Sequence, residues 1–425
     1  MEQIFSLLAK HNSWFEPVNY DLGFLRTDYL KKISQFIGTK LIKILVGQRR
    51  SGKSYIMRQV IDYLKSKLKI PAKNIIYINK EIYELNLIRT DKDLYQIIEY
   101  YLQRISPQGR VYLFIDEVQT IENWQKVVTS LASDPNKDFE IFLSGSNSTL
   151  LSGELATLLS GRYVTIEVFP YSYKEFLQLQ NQENTKQNFL KYMSGSAMPE
   201  TFNLPSDEAK YFYFQALKDT ILFRDIIMRH KIRDTQLLEE IFLFLLNNIG
   251  NLISTASIVK YYKSRGKTTD YVTVSNYISY LQQAFIIQRA DRQHVKTKEI
   301  LGNQRKFYLT DLGFRNVLYP STISQWNSAL ENIVFLELKR RNYQIYVGQY
   351  RDFEIDFIAT KKDKKIYIQV AYSVSDKTAL QRELRPFKTI PDYYPRILIT
   401  TDDLVLQGLE GVKHYQAWQW LTEEW

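Results

Sequence analysis

Eight residues, GQRRSGKS from Gly47 to Ser54, place the strongest constraint on how this chain folds. They follow the pattern G-x-x-x-x-G-K-[ST], in which a glycine-rich loop turns its backbone N–H groups toward phosphate oxygens. Residues 41–46 before the loop are apolar apart from Lys43 and predict a buried strand, and residues 55–64 have the apolar spacing of a helix. Strand, loop and helix in that order are the setting in which this motif binds phosphate, so we expect a nucleotide site here.

The loop also predicts which residues hold the nucleotide and its metal ion. Lys53 has the reach to contact the β- and γ-phosphates, and the Ser54 hydroxyl is placed to bind Mg²⁺. We therefore expect ATP and Mg²⁺ as the ligands of this site. The predicted nucleotide contacts are Gly47, Gln48, Arg49, Arg50, Ser51, Gly52, Lys53, Ser54 and Tyr55.

Residues 40–170 alternate between short apolar segments and segments with helical spacing. Such alternation predicts an α/β fold in which a parallel sheet is covered by helices on both faces. The nucleotide then binds at the carboxyl ends of the strands, where the glycine loop lies. The predicted strands are 41–46, 74–79, 111–115, 139–143 and 163–168.

A second motif, VYLFIDE at residues 111–117, joins an apolar strand to two carboxylates. The strand is expected to deliver Asp116 toward the magnesium ion. Glu117 is then placed to polarise the attacking water as the catalytic base. The following strand ends in polar residues, and we expect Ser146 or Asn147 there to contact the γ-phosphate or the water.

Arg162 lies directly before the last predicted strand of this region. An arginine at that position is suited to stabilise transition-state charge on the nucleotide of a neighbouring subunit. The alternative is a structural salt bridge.

The composition narrows the chemistry that the chain can carry. It has no cysteine, which excludes disulfides and cysteine nucleophiles, and its four histidines lack metal-ligand spacing. No apolar segment approaches the length of a membrane span, and the N-terminus lacks the layout of a secretory signal, so we expect a cytoplasmic protein without a membrane partner. The formal net charge of +10 favours a polyanionic partner such as nucleic acid, or reflects a generally basic protein.

These features together resemble a family of bacterial and archaeal AAA-type P-loop ATPases with a winged-helix segment and a C-terminal domain related to restriction endonucleases. The segments that carry the resemblance are GQRRSGKS, LFIDEVQ (113–119), LSGSNS (143–148), LSGRYVTIEVFPYSYKEF (159–176) and FRD (223–225).

The resemblance implies an ATPase core with a five-stranded parallel sheet and the residue roles given above. It implies a sensor residue near Asn147 and places Arg162 where such enzymes carry an arginine finger. Arg224 is then a second sensor or only part of a helix salt bridge.

Residues 254–310 hold ten lysines and arginines against three acidic residues, a local net charge of +7. Ser254 predicts the capped start of one helix, and residues 273–281 predict a second helix. Two predicted strands, 285–289 and 306–309, follow with a polar loop between them, which is the layout of a winged helix. The alternative to DNA binding is a lid that docks on protein. The expected DNA-binding residues are Lys267, Thr273, Ser275, Asn276, Arg289, Arg292, Lys296 and Lys298.

Glu331 on a predicted helix and Asp356 on a predicted strand match two acids of an endonuclease-like centre. In such a centre two carboxylates hold Mg²⁺ and a lysine helps to activate water. The third element, expected to read Glu-x-Lys, carries Gln369 and Ala371 instead. We therefore expect the fold to be retained and the centre Glu331, Asp356 and Gln369 to be vestigial, without cleavage. Cleavage would remain possible if a lysine at another position supplied the missing amine, namely Lys364, Lys365 or Lys377.

The predicted order is an N-terminal arm, an AAA-type ATPase domain, a helical lid, a winged-helix domain and a small α/β endonuclease-like domain. The predicted function is Mg²⁺-dependent ATP hydrolysis by a homo-oligomer that binds and remodels branched or duplex DNA. The alternatives are a nucleotide-driven switch that acts on a protein partner and an ATP-dependent DNA endonuclease. The predicted bounds of the domains are 1–24, 25–180, 181–250, 251–315 and 316–425.

Overall fold

The computed structural model of the protein describes residues 1–151, 159, 161–319, 325–409 and 411–423. The chain forms two compact units, residues 1–168 and 169–425. The finer predicted subdivisions of the chain stay predictions.

The first unit is built on five strands, all close to their predicted bounds. They are β1 (Ile42–Val46), β2 (Ile75–Asn79), β3 (Val111–Asp116), β4 (Phe139–Gly145) and β5 (Tyr163–Glu167). Their order in the sheet is β2-β3-β4-β1-β5, and every neighbouring pair is parallel. The predicted parallel α/β sheet is thus confirmed. Because the strands are parallel, the loop after β1 lies at the same end of the sheet as the carboxyl ends of β3 and β4.

Helices cover this sheet, and their starts are set by local capping. One of them begins after Thr90, whose hydroxyl accepts a hydrogen bond from the Asp93 N–H while the Asp93 carboxylate accepts one from the Thr90 N–H. Apolar rings fill the space between helices and sheet, and Phe114 and Phe142 stack with centroids 4.4 Å apart. The helices are α1 (Glu2–Lys10), α2 (Thr27–Ser34), α3 (Lys53–Ser66), α4 (Asp91–Ile105) and α5 (Trp124–Ser133).

The N-terminal arm is part of the first unit and covers the outer edge of β2. The side-chain amide of Asn12 donates to Tyr77 O at 3.0 Å and accepts from Tyr77 N at 2.7 Å. Trp14 Nε1 donates to Ile75 O at 2.7 Å. Because β2 is an edge strand, these side chains satisfy backbone groups that would otherwise be open to pairing.

The second unit begins with helices, as the sequence predicts, and ends with a mixed sheet. The helix Asp207–Asp219 continues into a π-helical segment, Thr220–Ile227, and a final turn, Met228–His230. The helices are α6 (Tyr173–Gln180), α7 (Lys186–Ser194), α8 (Asp207–Asp219), α9 (Thr235–Asn247), α10 (Thr255–Lys263), α11 (Tyr271–Gln283), α12 (Gly313–Asn316), α13 (Trp326–Arg340), α14 (Lys377–Thr389) and α15 (Ala417–Trp420).

The sheet of the second unit has seven strands in the order β12-β11-β10-β9-β8-β6-β7. The hairpin that the sequence predicts as a wing is thus continuous with the C-terminal strands. The strands are β6 (Ile287–His294), β7 (Ile300–Leu309), β8 (Gln344–Tyr350), β9 (Phe353–Lys361), β10 (Lys364–Ala371), β11 (Arg396–Thr400) and β12 (Val412–Gln416).

The predicted polar loop at 291–305 is wrong, because most of that segment belongs to β6 and β7. The two strands pair antiparallel from Ile287 and Leu309 out to Gln293 and Ile300. Most of their polar side chains are at least partly exposed on the hairpin, and polarity alone does not distinguish such a hairpin from a loop.

Helices α10 and α11 form at the positions that the sequence indicates. Ser254 caps α10 by accepting from the Ser257 N–H at 3.0 Å. On α11 the apolar residues at helical spacing are buried: Val274, Tyr277, Ile278 and Leu281. Across the part of the chain that the structure describes, no helix has the length and apolarity needed to traverse a bilayer.

Candidate nucleotide-binding and hydrolysis site

The loop between β1 and α3 has a conformation that requires its glycines. Gly47 has φ +149°, and a Cβ there would lie 2.2 Å from Val168 O, well inside contact distance. Gly52 has φ +98° and precedes the first turn of α3. Both angles lie where side chains other than glycine are strained, so the two glycines of the motif are needed for its shape.

Lys53 is the first residue of α3 and is buried, with its ammonium folded back over the loop. Its Nζ donates to Gly47 O at 3.1 Å and to Gln48 O at 3.0 Å, and it lies 3.8 Å from Glu117 Oε1. Burial lowers the pKa of Lys53, while the charges of Glu117 and Asp116 oppose that shift. The ammonium therefore lies between the phosphate loop and the two carboxylates.

Asp116 ends β3 and is fully buried. It accepts hydrogen bonds from the Ser144 hydroxyl, from Tyr77 Oη at 3.0 Å and from the side chain of Ser54. Burial and then the charge of Glu117 raise its pKa, and the three hydrogen bonds lower it in part. Its contact with Ser54 joins the two residues that were predicted to share a magnesium ion.

Glu117 follows in a left-handed conformation, with φ +57°, which turns its carboxylate toward Lys53. Its Oε2 accepts from Ser146 Oγ at 3.0 Å and from the amide of Gln119. Burial by itself raises the pKa of Glu117, but the charges of Lys53 and Arg49 and these hydrogen bonds outweigh it, and the pKa is lowered. An ionised carboxylate is the form that accepts a proton.

Two buried side chains in the loop have polar atoms without a hydrogen-bond partner among the described residues. They are Gln48, through both atoms of its amide, and Ser51, through its hydroxyl. Both residues are fully buried. Buried polar atoms without partners are costly, so this loop is shaped for a polar ligand that supplies the missing hydrogen bonds.

The other predicted nucleotide contacts lie around the loop entrance. Arg49 Nη1 lies 3.7 Å from Glu81 Oε1, and Arg50 is exposed with φ +69°. Tyr55 on α3 is partly exposed, and its Oη donates to Asp21 Oδ2 at 3.2 Å.

Ser146 and Asn147 follow β4 at the same edge of the sheet, and both are buried. Ser146 contacts Glu117 directly, as given above, so β4 brings at least one of the two candidates to the predicted catalytic base.

Arg162 lies directly before β5, at the end of the strands opposite to the glycine loop. Its backbone carbonyl accepts from Ile42 N at the start of β1, whereas the loop follows the end of β1. At about 3.3 Å per residue, the five residues of β1 separate the two positions by about 17 Å. The side chain is exposed, and its Nη1 donates to Ser133 Oγ at 3.1 Å.

Sequence reasoning missed three residues that support this site. Ser144 donates to Asp116 and also accepts from the Glu117 N–H at 3.0 Å, and Tyr77 holds the second oxygen of Asp116. Arg26 is buried, donates to Ser51 O at 3.1 Å and stacks 4.4 Å from the Tyr29 ring. The LSGSNS segment offered a signal for Ser144, since it places several hydroxyls at the end of a strand beside the acidic motif.

The expected DNA-binding residues of the second unit have different surroundings. Asn276, Lys296 and Lys298 are exposed, and Ser275 is half-buried. Others are engaged within the protein: Lys267 pairs with Glu240, Arg289 with Asp291 at 3.0 Å, Arg292 with Gln304 at 2.9 Å, and Thr273 with its cap Asp270 at 2.9 Å. Lys306, counted in the +7 charge, is buried and does not contribute to a basic surface.

The structure brings together the residues of the predicted endonuclease-like centre. Asp356 N donates to Gln369 Oε1 at 2.7 Å, and Glu331 and Asp356 both contact the ammonium of Lys306. The predicted amine donors lie elsewhere: Lys365 is 3.4 Å from Asp392, and Lys364 and Lys377 are exposed.

Comparison with known proteins gives distant matches among solved structures. The Aeropyrum pernix ORC1 protein in complex with DNA has a TM-score of 0.32 at 13% identity, over 70% of this chain and 93% of that chain. Cdc6p from Pyrobaculum aerophilum has a TM-score of 0.31 at 12% identity, over 76% of this chain and 98% of that chain.

Comparisons of amino-acid sequence give matches at higher identity. Residues 39–177 match the AAA domain, and residues 186–327 match a domain of unknown function, DUF8612. An uncharacterized protein of Haemophilus influenzae is 35% identical over 402 residues, 94% of this chain and 98% of that protein. The uncharacterized protein MJ1544 of Methanocaldococcus jannaschii is 32% identical over 383 residues, 85% of this chain and 82% of that protein. The chain therefore belongs to the family of these two proteins, and its residues 39–177 are a P-loop ATPase domain of the AAA type.

Proposed function

We propose that the protein is a Mg²⁺-dependent ATP hydrolase that acts on DNA and works as an oligomer. The observation that carries the hydrolase part is the convergence of Lys53, Ser54, Asp116 and Glu117 at one edge of the sheet. The buried polar atoms of Gln48 and Ser51 without partners support a phosphate-bearing ligand at the same place.

Ser54 and Asp116 are the residues that would hold the metal ion. Their hydroxyl and carboxylate oxygens are the ligands that Mg²⁺ prefers, and they already contact each other. Bound Mg²⁺ neutralises charge on the β- and γ-phosphate oxygens during hydrolysis. Lys53 binds the phosphates, Glu117 accepts the proton of the attacking water, and Ser146 orients the Glu117 carboxylate through its hydrogen bond.

Two substitutions test these roles by separating binding from hydrolysis. Lys53→Ala removes the ammonium that binds phosphate, so we expect loss of both ATP binding and turnover. Glu117→Gln keeps the shape but cannot accept a proton, so ATP binding is retained and kcat falls by about 100-fold or more. The matched control is Glu122→Gln, an exposed glutamate five residues later. Wild-type turnover by Glu117→Gln would show that another residue is the base.

The proposed DNA contact rests on exposed basic residues of the second unit. Lys296 and Lys298 lie in the turn between β6 and β7, and Lys260 and Lys263 lie at the end of α10. Asn276 is exposed on α11. Flexible lysines suit phosphates rather than base edges, so binding by shape or charge is expected rather than reading of a sequence.

The test measures ATP turnover with duplex, forked and single-stranded DNA, together with binding across a range of salt concentrations. The double variant Lys296→Gln/Lys298→Gln is expected to lower the slope of log affinity against log salt by about 1 to 2, since each phosphate contact contributes about 0.9. The control Lys67→Gln/Lys92→Gln removes two exposed charges from the first unit. Absence of both stimulation and low-salt binding would refute the DNA part and leave the hydrolase part standing.

The proposed oligomer rests on the position of Arg162, too far from the loop of its own chain to act there. If it completes a neighbour's site, Arg162→Ala and Lys53→Ala are each inactive alone. Mixed together they regain turnover, because the Lys53→Ala subunit supplies Arg162 to an intact neighbouring site. Arg162→Ala with wild-type turnover, or a mixture that stays inactive, would refute this assignment.

A further inference from the structure

Lys306 is buried in the second unit and makes three ion pairs with its single ammonium group. Its Nζ lies 2.8 Å from Glu331 Oε1, 2.8 Å from Glu354 Oε1 and 3.3 Å from Asp356 Oδ1. A lysine ammonium has three N–H donors, so three carboxylates saturate it.

The four charged groups come from three separate elements. Lys306 lies on β7, Glu331 on α13, and Glu354 and Asp356 on β9. Glu331 is buried, Asp356 is 15% exposed and Glu354 is 35% exposed at the side chain. Side chains that converge in this way on a buried point, from helix and strands, would repel one another strongly without a cation among them.

Other hydrogen bonds hold the carboxylates in place around the ammonium. Tyr308 Oη donates to Glu331 Oε1 at 2.7 Å, and Val370 N donates to Asp356 Oδ2 at 2.9 Å. A Cβ at Gly250 would lie 3.2 Å from Glu331 Oε2, so the backbone there approaches this carboxylate closely. The Gln369 carboxamide accepts from Asp356 N and adds no charge.

We propose that the Lys306 ammonium takes the place of a divalent cation in this centre. Glu331, Glu354 and Asp356 then form a closed ion cluster that binds no metal ion in the native protein. Mg²⁺ and Mn²⁺ require carboxylate oxygens at about 2.0 to 2.2 Å, in the same small volume that the ammonium fills, so lysine and metal exclude each other. Among the described residues no group of three or more His, Cys, Asp or Glu is placed to hold a metal ion, so the three carboxylates would have to move closer together to bind one.

Removal of the Lys306 ammonium is expected to turn the cluster into a metal site. Lys306→Met keeps much of the side-chain volume and leaves three carboxylates without a cation. Mn²⁺ binding to the nucleotide-free full-length protein is counted from the electron paramagnetic resonance signal of the free ion. Lys306→Met is expected to bind about one more Mn²⁺ per chain than wild type, and the double variant Lys306→Met/Asp356→Asn is expected to lose it.

The phosphate-loop site contributes equally to all these variants, so only differences between them count. Wild type and Asp356→Asn are expected to bind equal numbers of Mn²⁺. If Asp356→Asn binds one Mn²⁺ fewer than wild type, the proposal is overturned, because the metal ion and Lys306 would then occupy the site together. Lys306→Met that folds normally and binds no additional Mn²⁺ would also overturn it.

A folding control covers the case in which Lys306→Met is too unstable to study. Lys306→Met/Glu331→Gln removes one positive and one negative charge together, so we expect its thermal midpoint to recover toward wild type. Equal destabilisation of the single and double variants would show that the loss is one of packing rather than of charge, and would refute the role of Lys306 as the internal cation.

Discussion

Substitution of Asn12 in the N-terminal arm is expected to destabilise β2, the edge strand that the arm covers. Its amide forms two hydrogen bonds with the backbone of Tyr77, at 2.7 and 3.0 Å, and the residue is buried. The substitution Asn12→Ala removes both of these hydrogen bonds. The Tyr77 N–H and C=O are then left without the Asn12 amide that bonds to both of them.

The expected cost follows from the two groups that lose their partners. A buried polar group without a hydrogen bond costs about 1 to 3 kcal/mol, and the space left by the amide admits a water that compensates in part. We therefore expect local opening of β2 to become easier by about 2 to 4 kcal/mol. At 1.36 kcal/mol per factor of ten, amide exchange in residues 75–79 is expected to speed up by about 30- to 900-fold.

Hydrogen exchange followed by mass spectrometry on the full-length chain measures this directly and does not require two-state unfolding of both units. Asn12→Asp keeps the oxygen that accepts from Tyr77 N but places a charged oxygen against Tyr77 O, so it is expected to open β2 at least as much as alanine does. Glu16→Ala, at an exposed position of the same arm, is the control. Exchange in residues 75–79 that stays within about threefold of wild type in Asn12→Ala would refute the reasoning, since 1 kcal/mol already exceeds that factor.

Three further predictions concern the loop, the residues around the carboxylates and a buried lysine. Gly47→Ala and Gly38→Ala both place a side chain at positive φ, +149° and +87°, but only the first meets an atom, Val168 O at 2.2 Å; chemical denaturation should show it less stable by about 1 to 3 kcal/mol than Gly38→Ala, and equal stability would contradict the clash. Ser144→Ala leaves Asp116 and the Glu117 N–H without their shared hydroxyl and should lower kcat by about 10- to 100-fold in steady-state ATPase assays, whereas an unchanged kcat would remove Ser144 from the site. Burial, and then the charge of Arg89, lowers the pKa of Lys80 to about 8, so between that pH and the ordinary lysine pKa the unfolded state binds more protons. The free energy of unfolding of wild type should therefore rise with pH in that window relative to Lys80→Met, and parallel curves for the two proteins would contradict the shift.

The sequence was most informative about features that a few neighbouring residues encode. The phosphate loop, Asp116 and the strands of the first sheet are local features: each is encoded by a few neighbouring residues whose spacing and polarity suffice to predict them. The parallel order of the strands follows from their alternation with helices. These are the parts of the fold and site that the pattern alone could predict.

The supporting contacts could not be predicted, because they join residues that are distant in the chain. Tyr77 and Asp116 are 39 residues apart, and Arg26 and Ser51 are 25 apart. Lys306 was counted as a surface charge because its neighbours in sequence are basic and polar. Its burial depends on carboxylates that enter from a helix and a strand formed later in the chain, which no local pattern reveals.

The seven-stranded sheet has a consequence for how the second half of the chain forms during synthesis. Strand β6 pairs with β7 in a local hairpin, but its other neighbour is β8, which begins at Gln344. A nascent chain that has reached residue 327, where the DUF8612 match ends, still lacks β8 and all three carboxylates that surround Lys306. The hairpin then carries an open edge, and its Lys306 ammonium stays in water until the carboxylates are present to pair with it. We therefore expect the hairpin to reach its native packing only after the C-terminal strands are synthesised, and the segment that folds by itself to extend beyond residue 327.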